Sequence, residues 1–321
     1  AGTYNENVVL NKSVSLIGES KHSTIIDGGN RDHVIHVKAN NTVISNFTIQ
    51  KSLKYTTHGI YLDCCDGATI QDCNVKYNTI GVYLFFSSNN TLTNNSMSYN
   101  EYGVSLYGVM MDHIYSRYNT LTNNNISNNG EGIILESSSN NRLRSNVIDR
   151  NSHGFGIKGA TLEHFVHDID TSNTIDGKPI YYWVNRINDQ ISLDAAYVAL
   201  VNSYNITVKG LELKNNWQGI ILVNTTISLI TNNKIAGWTM ADGIQLYWSS
   251  YNSVSGNNIT NNQFGIYLYE SSNNTISGNN ITNNERGIVL YESSNNTFSG
   301  NTITNNWDGI YLELSSSNSI S

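Results

Sequence analysis

Toward its C-terminus this chain repeats one phrase: GIQLYWSSYNSVSGNNITNN, GIYLYESSNNTISGNNITNN, GIVLYESSNNTFSGNTITNN and GIYLELSSSNSIS. The leading glycines, Gly243, Gly265, Gly287 and Gly309, are 22 residues apart. A fixed period of this length, with short alternating runs and asparagine-rich corners, predicts a stacked parallel β-solenoid. Ile244, Ile266, Ile288 and Ile310 share one column, and Leu246, Leu268, Leu290 and Leu312 the next but one. That spacing of two places both on one strand face, whereas a helix needs apolar spacings of three and four. One coil has nowhere to bury the face; stacked coils bury it against the same residues above and below.

The corners repeat as well. Asn252, Asn274, Asn296 and Asn318 align, as do Asn257, Asn279 and Asn301. Asparagine suits tight turns, and stacked copies can bond one another along the axis. The glycine column reads as another sharp corner. Upstream, Gly59, Gly81 and Gly103 keep the period of 22, Gly132 follows after 29, and Gly154 after a further 22. Seven residues are therefore inserted near 108–114. Residues 160–197 are poorly patterned, and Val198 and Leu200 restore the register of Ile220 and Leu222. The expectation is one all-β domain over residues 1–321, of roughly thirteen or fourteen coils.

Charged residues make up only 13% of the chain and the net charge is −7, with no basic stripe, so nucleic acid is not an expected partner. No run of about eighteen apolar residues occurs, so no membrane-spanning helix is expected. The chain begins and stops inside coils, which predicts missing caps at one or both ends. Twenty tyrosines and sequons at Asn11, Asn46, Asn125, Asn205 and Asn258 suggest an extracellular or cell-envelope protein, although Asn-x-Thr is also inherent in the repeat. Cys64, Cys65 and Cys73 fall within ten residues. They read either as a disulfide from Cys73 to one of the vicinal pair, with an odd thiol left over, or as small corner residues.

GTYNENVVLNKSVSLIGESKHSTIIDGG, the repeat itself and HDIDTSNTIDGKPIYYWVNRINDQ together resemble the NosD-type right-handed β-helix family, within the wider group of carbohydrate-binding and sugar-hydrolase β-helix domains. The resemblance covers essentially the whole chain. It implies a right-handed parallel β-helix and, for the name-giving members, a periplasmic accessory role in copper-site maturation. The Asn/Ser/Thr-rich style also resembles large archaeal surface proteins, which implies a cell-envelope setting.

Three chemistries can be weighed on the residues. For copper, Met110, Met111 and His113 in the inserted loop come first, then His164 and His167 beside Asp168 and Asp170, then the cysteines; none has a strong ligand signature. For polysaccharide cleavage or calcium, Glu270 and Glu292 stack on neighbouring coils, or are simply exposed turn residues. For binding, Tyr267 and Tyr311 share one outward column, and Tyr247, Tyr269 and Tyr291 another; Tyr61 and Tyr83, then Phe85 and Tyr107, extend the pattern upstream. Such columns can stack on sugars, pack on a second solenoid, or persist through cross-coil stacking alone. The expectation is a non-catalytic envelope protein without a cofactor, self-associating or binding a cell-surface glycan. A copper-handling accessory is the alternative, and a polysaccharide lyase or hydrolase the third.

Overall fold

The computed structural model describes residues 1–52, 56–109, 116–238 and 240–321. They fall into two compact units, Ala1–Gly177 and Lys178–Ser321, each a stack of coils with parallel strands. In the first unit one sheet takes 8–10, 35–37, 58–63, 80–85, 102–107, 131–136 and 153–158. A second runs through 24–27, 48–52 and 74–78 to 174–175, and a third from 15–17 to 168–169. The second unit repeats the plan, with one sheet of 178–184, 197–201, 218–223, 242–247, 264–269, 286–291 and 308–313. The fold is the parallel β-solenoid that the columns predict.

The columns pack as read. Ile266 faces Ile288 and Leu268 faces Leu290 across one coil step, all fully buried. Val198 pairs with Ile220 and Leu200 with Leu222, so the register does recover after the irregular stretch. That stretch holds a 3-10 helix, Leu162–Phe165, in the first unit. In the second, Ile180 pairs with Tyr197, a coil of seventeen residues. Phe85 pairs with Tyr107 at the usual 22, while Ser87 bonds Ser116 at 29, so the seven extra residues lie between Tyr107 and Ser116.

Asparagine columns form continuous amide ladders. The Asn257 backbone N–H and Nδ2 both donate to Asn279 Oδ1 at 2.9 Å, and Asn279 does the same to Asn301. Each Nδ2 also donates to a carbonyl of the preceding coil, as Asn279 does to Val254 at 2.9 Å. Buried corners thereby satisfy both their own donors and their neighbours'.

The glycine column departs from its reading as a corner. A Cβ on Gly265 would sit 2.5 Å from the Gly287 carbonyl oxygen and 2.6 Å from Ile281 Cγ2. Gly243, Gly265 and Gly287 are required by close approach of backbone and core. The left-handed corners are elsewhere, at Gly256, Gly278 and Gly300 and at Asn261, Asn283 and Asn305.

Candidate functional site: an imidazole and aromatic face

Outward side chains of the sheet built on 58–63 and 80–85 stack along the first unit. His36 pairs with Tyr61, Tyr61 with Tyr83, and Tyr83 with Ser105. Alongside runs Asp63, Phe85, Tyr107. Alternation turns Ile60 and Leu62 into the core and leaves Tyr61 and Asp63 outside. Tyr61 and Tyr83 stack with centroids 5.6 Å apart, and Phe85 and Tyr107 at 5.9 Å with planes within 6°.

Three imidazoles close one end of this strip. The His33 ring lies 5.1 Å from His36, 4.9 Å from His58 and 4.6 Å from Tyr61. His36 Nε2 is 3.0 Å from Asp63 Oδ2. His33 Nδ1 accepts the His58 backbone N–H at 3.1 Å. His58 is buried, and its Nδ1 has no hydrogen-bond partner among the described residues. Burial pushes the His58 imidazole down to about 3, with the nearby His33 adding to the effect, and burial lowers His33 too. Both are neutral at pH 7. Burial, reinforced by the Asp63 charge, pushes the Tyr61 phenol up to about 12 and keeps it protonated. The face therefore offers flat apolar rings, a protonated phenol and neutral imidazoles beside a carboxylate–imidazole pair.

The expected Tyr61, Tyr83, Phe85 and Tyr107 columns are present, but the three histidines are additions. Their one signal is DHVIHV followed a coil later by HGIYLD. The other candidates are dispersed. Met110, Met111 and His113 lie outside the described residues. His164 is buried, and its Nδ1 accepts the Ala160 N–H at 3.1 Å. His167 Nδ1 accepts the Asn141 N–H at 3.2 Å, and its Nε2 donates to the His164 carbonyl at 3.1 Å. It takes the next rung after Asn119 and Asn141, and burial pushes it to about 3. No disulfide joins the three cysteines in this structure. Cys65 N–H donates to Ser87 Oγ and Cys73 N–H to Asn95 Oδ1, so the buried pair fill different internal columns. Glu270 and Glu292 are exposed at left-handed corners, one coil apart. In the second unit Tyr269 and Tyr291 stack at 5.4 Å, Tyr247 lies 5.8 Å from Tyr267, and Tyr311 donates to Glu313 at 3.0 Å.

The family profile described as "Periplasmic copper-binding protein (NosD)" matches residues 2–177 and again 169–321. The chain belongs to the NosD family. No curated protein is significantly similar in sequence. Among solved structures, a mutant of the periplasmic alginate epimerase AlgG is similar at 17% identity and TM-score 0.36, over 87% of this NosD-family chain and 64% of its own. DFA-IIIase from Arthrobacter chlorophenolicus A6, in complex with GF2, is similar at 12% and 0.40, over 99% and 81%. PfbA, a surface adhesin of Streptococcus pneumoniae, is similar at 16% and 0.37, over 94% and 81%. The chain thus spans less than two thirds of the epimerase. These likenesses transfer no activity and no residue role. The expectation of a non-catalytic protein is withdrawn: an epimerase and DFA-IIIase are among the similar structures, and these likenesses show the fold alone.

The family description names copper, and the described residues do not fit such a centre. Among them no group of three or more His, Cys, Asp or Glu is placed to hold a metal ion. The physical reasons are specific. His33, His36 and His58 meet through ring faces and edges, and His33 Nδ1 and His36 Nε2 already have partners. Burial pushes the Cys65 and Cys73 thiols up to about 11, away from the thiolate that binds metal.

Proposed function

We propose that this chain is a polysaccharide-binding β-helix of the periplasm or cell surface. One observation carries the proposal: the strip of Tyr61, Tyr83, Phe85 and Tyr107 rings ending at His33, His36 and His58. Rings aligned along an axis present the flat apolar surfaces on which sugar faces stack, and the flanking imidazole and carboxylate groups bond hydroxyls. The NosD family description, periplasmic, supports the location. A second reading, proton transfer on the bound sugar, is favoured by the His36–Asp63 pair at 3.0 Å beside the protonated Tyr61.

Affinity electrophoresis through gels containing soluble neutral or acidic polysaccharides tests the binding. The full chain is expected to be retarded by at least one, and a Tyr61→Ala/Tyr83→Ala variant to be retarded less in that gel. Equal mobility of the two proteins in every gel would overturn it. Turnover is read separately, as new reducing ends or ultraviolet-absorbing unsaturated products that vanish in His36→Ala.

A further inference from the structure

The second unit breaks its own repeat at one corner. Ala236 pairs with Thr260, 24 residues on, whereas Asp242 pairs with Phe264, only 22 on. Two extra residues therefore lie between 236 and 242, in the stretch that carries Trp238. Downstream, the same corner forms an ordinary amide ladder: Asn262 Nδ2 donates to Asn284 Oδ1 at 2.9 Å, and Asn284 Nδ2 to Asn306 Oδ1 at 3.1 Å. Upstream the ladder stops. Asn262 is 2% exposed, and its Oδ1 has no hydrogen-bond partner among the described residues. Gly237 lies where a Cβ would meet that oxygen at 2.2 Å, so the inserted corner brings in a backbone without a side-chain donor.

A groove of about 720 Å³ opens over this break, and Asn262 lines it. Trp238 borders it on the inserted corner, and Trp307 on the coil that carries Asn305 and Asn306. Asn261, Asn283 and Asn305 line it, exposed at successive left-handed corners, together with Glu285. Trp307 is 88% exposed, more than any other large hydrophobic side chain among the described residues. Three coil steps separate the two tryptophans in register, about 14 Å at strand-stacking distance, room for a short run of sugar rings.

We infer that this groove is a second binding site, for a neutral polysaccharide. The exposed Trp307 indole stacks on a sugar ring at one end, the half-buried Trp238 borders the other, and a line of exposed amides exchanges hydrogen bonds with hydroxyls in either direction. Charge selects the class. Glu285 sits in the groove, and the neighbouring Arg286 is already paired with Asp308 at 3.1 Å, so no free cation among the described lining residues awaits a polyanion. The inference is independent of the Tyr61–Tyr83 face, which belongs to the other unit.

The test is affinity electrophoresis of the full chain in gels containing dextran, galactomannan or a soluble β-glucan, with sedimentation of the same samples. At least one of these is expected to retard the protein. Trp307→Ala should weaken the apparent affinity about tenfold or more, Trp307→Phe should retain most of it, and Trp238→Ala should match Trp307→Ala. The Tyr61→Ala/Tyr83→Ala variant keeps the Trp307-dependent part, which separates failure of this site from failure of the other. Because Trp307 is exposed, its alanine variant is expected to fold, as circular dichroism would verify. Retardation by none of the neutral polymers, or equal retardation of wild type and both tryptophan variants, would overturn the inference. So would a Trp307→Ala effect confined to sedimentation, which would make the groove a contact between copies.

Discussion

The backbone N–H of Cys73 donates to Oδ1 of Asn95 at 3.0 Å, the same bond that Asn95 makes to Asn124 at 3.1 Å. A thiol residue thus occupies the first rung of an amide column. Cys65 does likewise on the Ser87 column, while Cys64 alone is exposed.

Brief alkylation of the native protein followed by mass spectrometry should therefore label Cys64 and spare Cys65 and Cys73. Burial, with the adjoining Asp63 adding to it, raises the Cys64 thiol above its usual value. Only the thiolate reacts, so labelling should be slower at pH 7 than for an unhindered cysteine and should keep accelerating past about pH 9. Rapid labelling of all three sites without denaturant would contradict the buried placement.

The glycine columns make a paired prediction. Gly265→Ala forces a methyl against the Gly287 carbonyl and Ile281, and should destabilise by roughly 1–3 kcal/mol. Gly278 has φ of +62° and open space around its Cβ position, and Asn232 occupies the equivalent left-handed corner two coils earlier. Gly278→Asn should change stability by no more than about 0.5 kcal/mol. Urea denaturation of the two variants checks the contrast.

Asp242 gives stability a pH dependence of known sign. Burial pushes its carboxyl up to about 7, against hydrogen bonds from Gln245 Nε2 and the Phe264 N–H that favour the charged form. The folded state then holds the proton more tightly than the unfolded chain does. Its contribution is most favourable below the unfolded value near 3.8 and is lost as pH rises to about 7, after which it is flat. Asp242→Asn should flatten that stretch and unfold at higher denaturant than wild type at pH 7.5. An identical slope between pH 4 and 7 in both proteins would refute the assignment.

Ile288 is fully buried between Ile266 and Ile310. Ile288→Asp places an unpaired carboxylate in the stack, at a cost of several kcal/mol. Loss of the cooperative thermal transition is expected, whereas Ile288→Val should cost about 0.5–1.5 kcal/mol. A near-wild-type melt for the aspartate variant would reject the register.

Much of this architecture is legible wherever the period is 22, because Ile288 and Asn279 recur in step with the coils that bury them. The candidate sites lie where the period changes. Ile35 pairs with Ile60 at a spacing of 25, so a fixed 22-residue window hides the alignment of His33 with His58 and of His36 with Tyr61. His167 bonds Asn141 at a spacing of 26, which disguises an imidazole as a stray residue when it is the next rung of a ladder. Trp238 sits in a two-residue insertion that shows in the sequence only as a spacing of 24 between Gly219 and Gly243. Crowding at Gly265 involves the next coil's backbone, and no pattern of residue types carries that distance.

The amide columns have a direction: Asn257 donates to Asn279, Asn279 to Asn301, and Ser249 to Ser271 and then Ser293 in the same sense. Along these columns each backbone N–H meets a side-chain oxygen of the following coil, never of the preceding one, so a coil fits against a copy of itself in one orientation only. Tandem duplication of such a unit inserts a piece already complementary to both neighbours. Replication slippage can lengthen the gene by whole coils while leaving the fold intact, and selection is then free to alter single corners, as at Trp238, inside a scaffold that tolerates being copied.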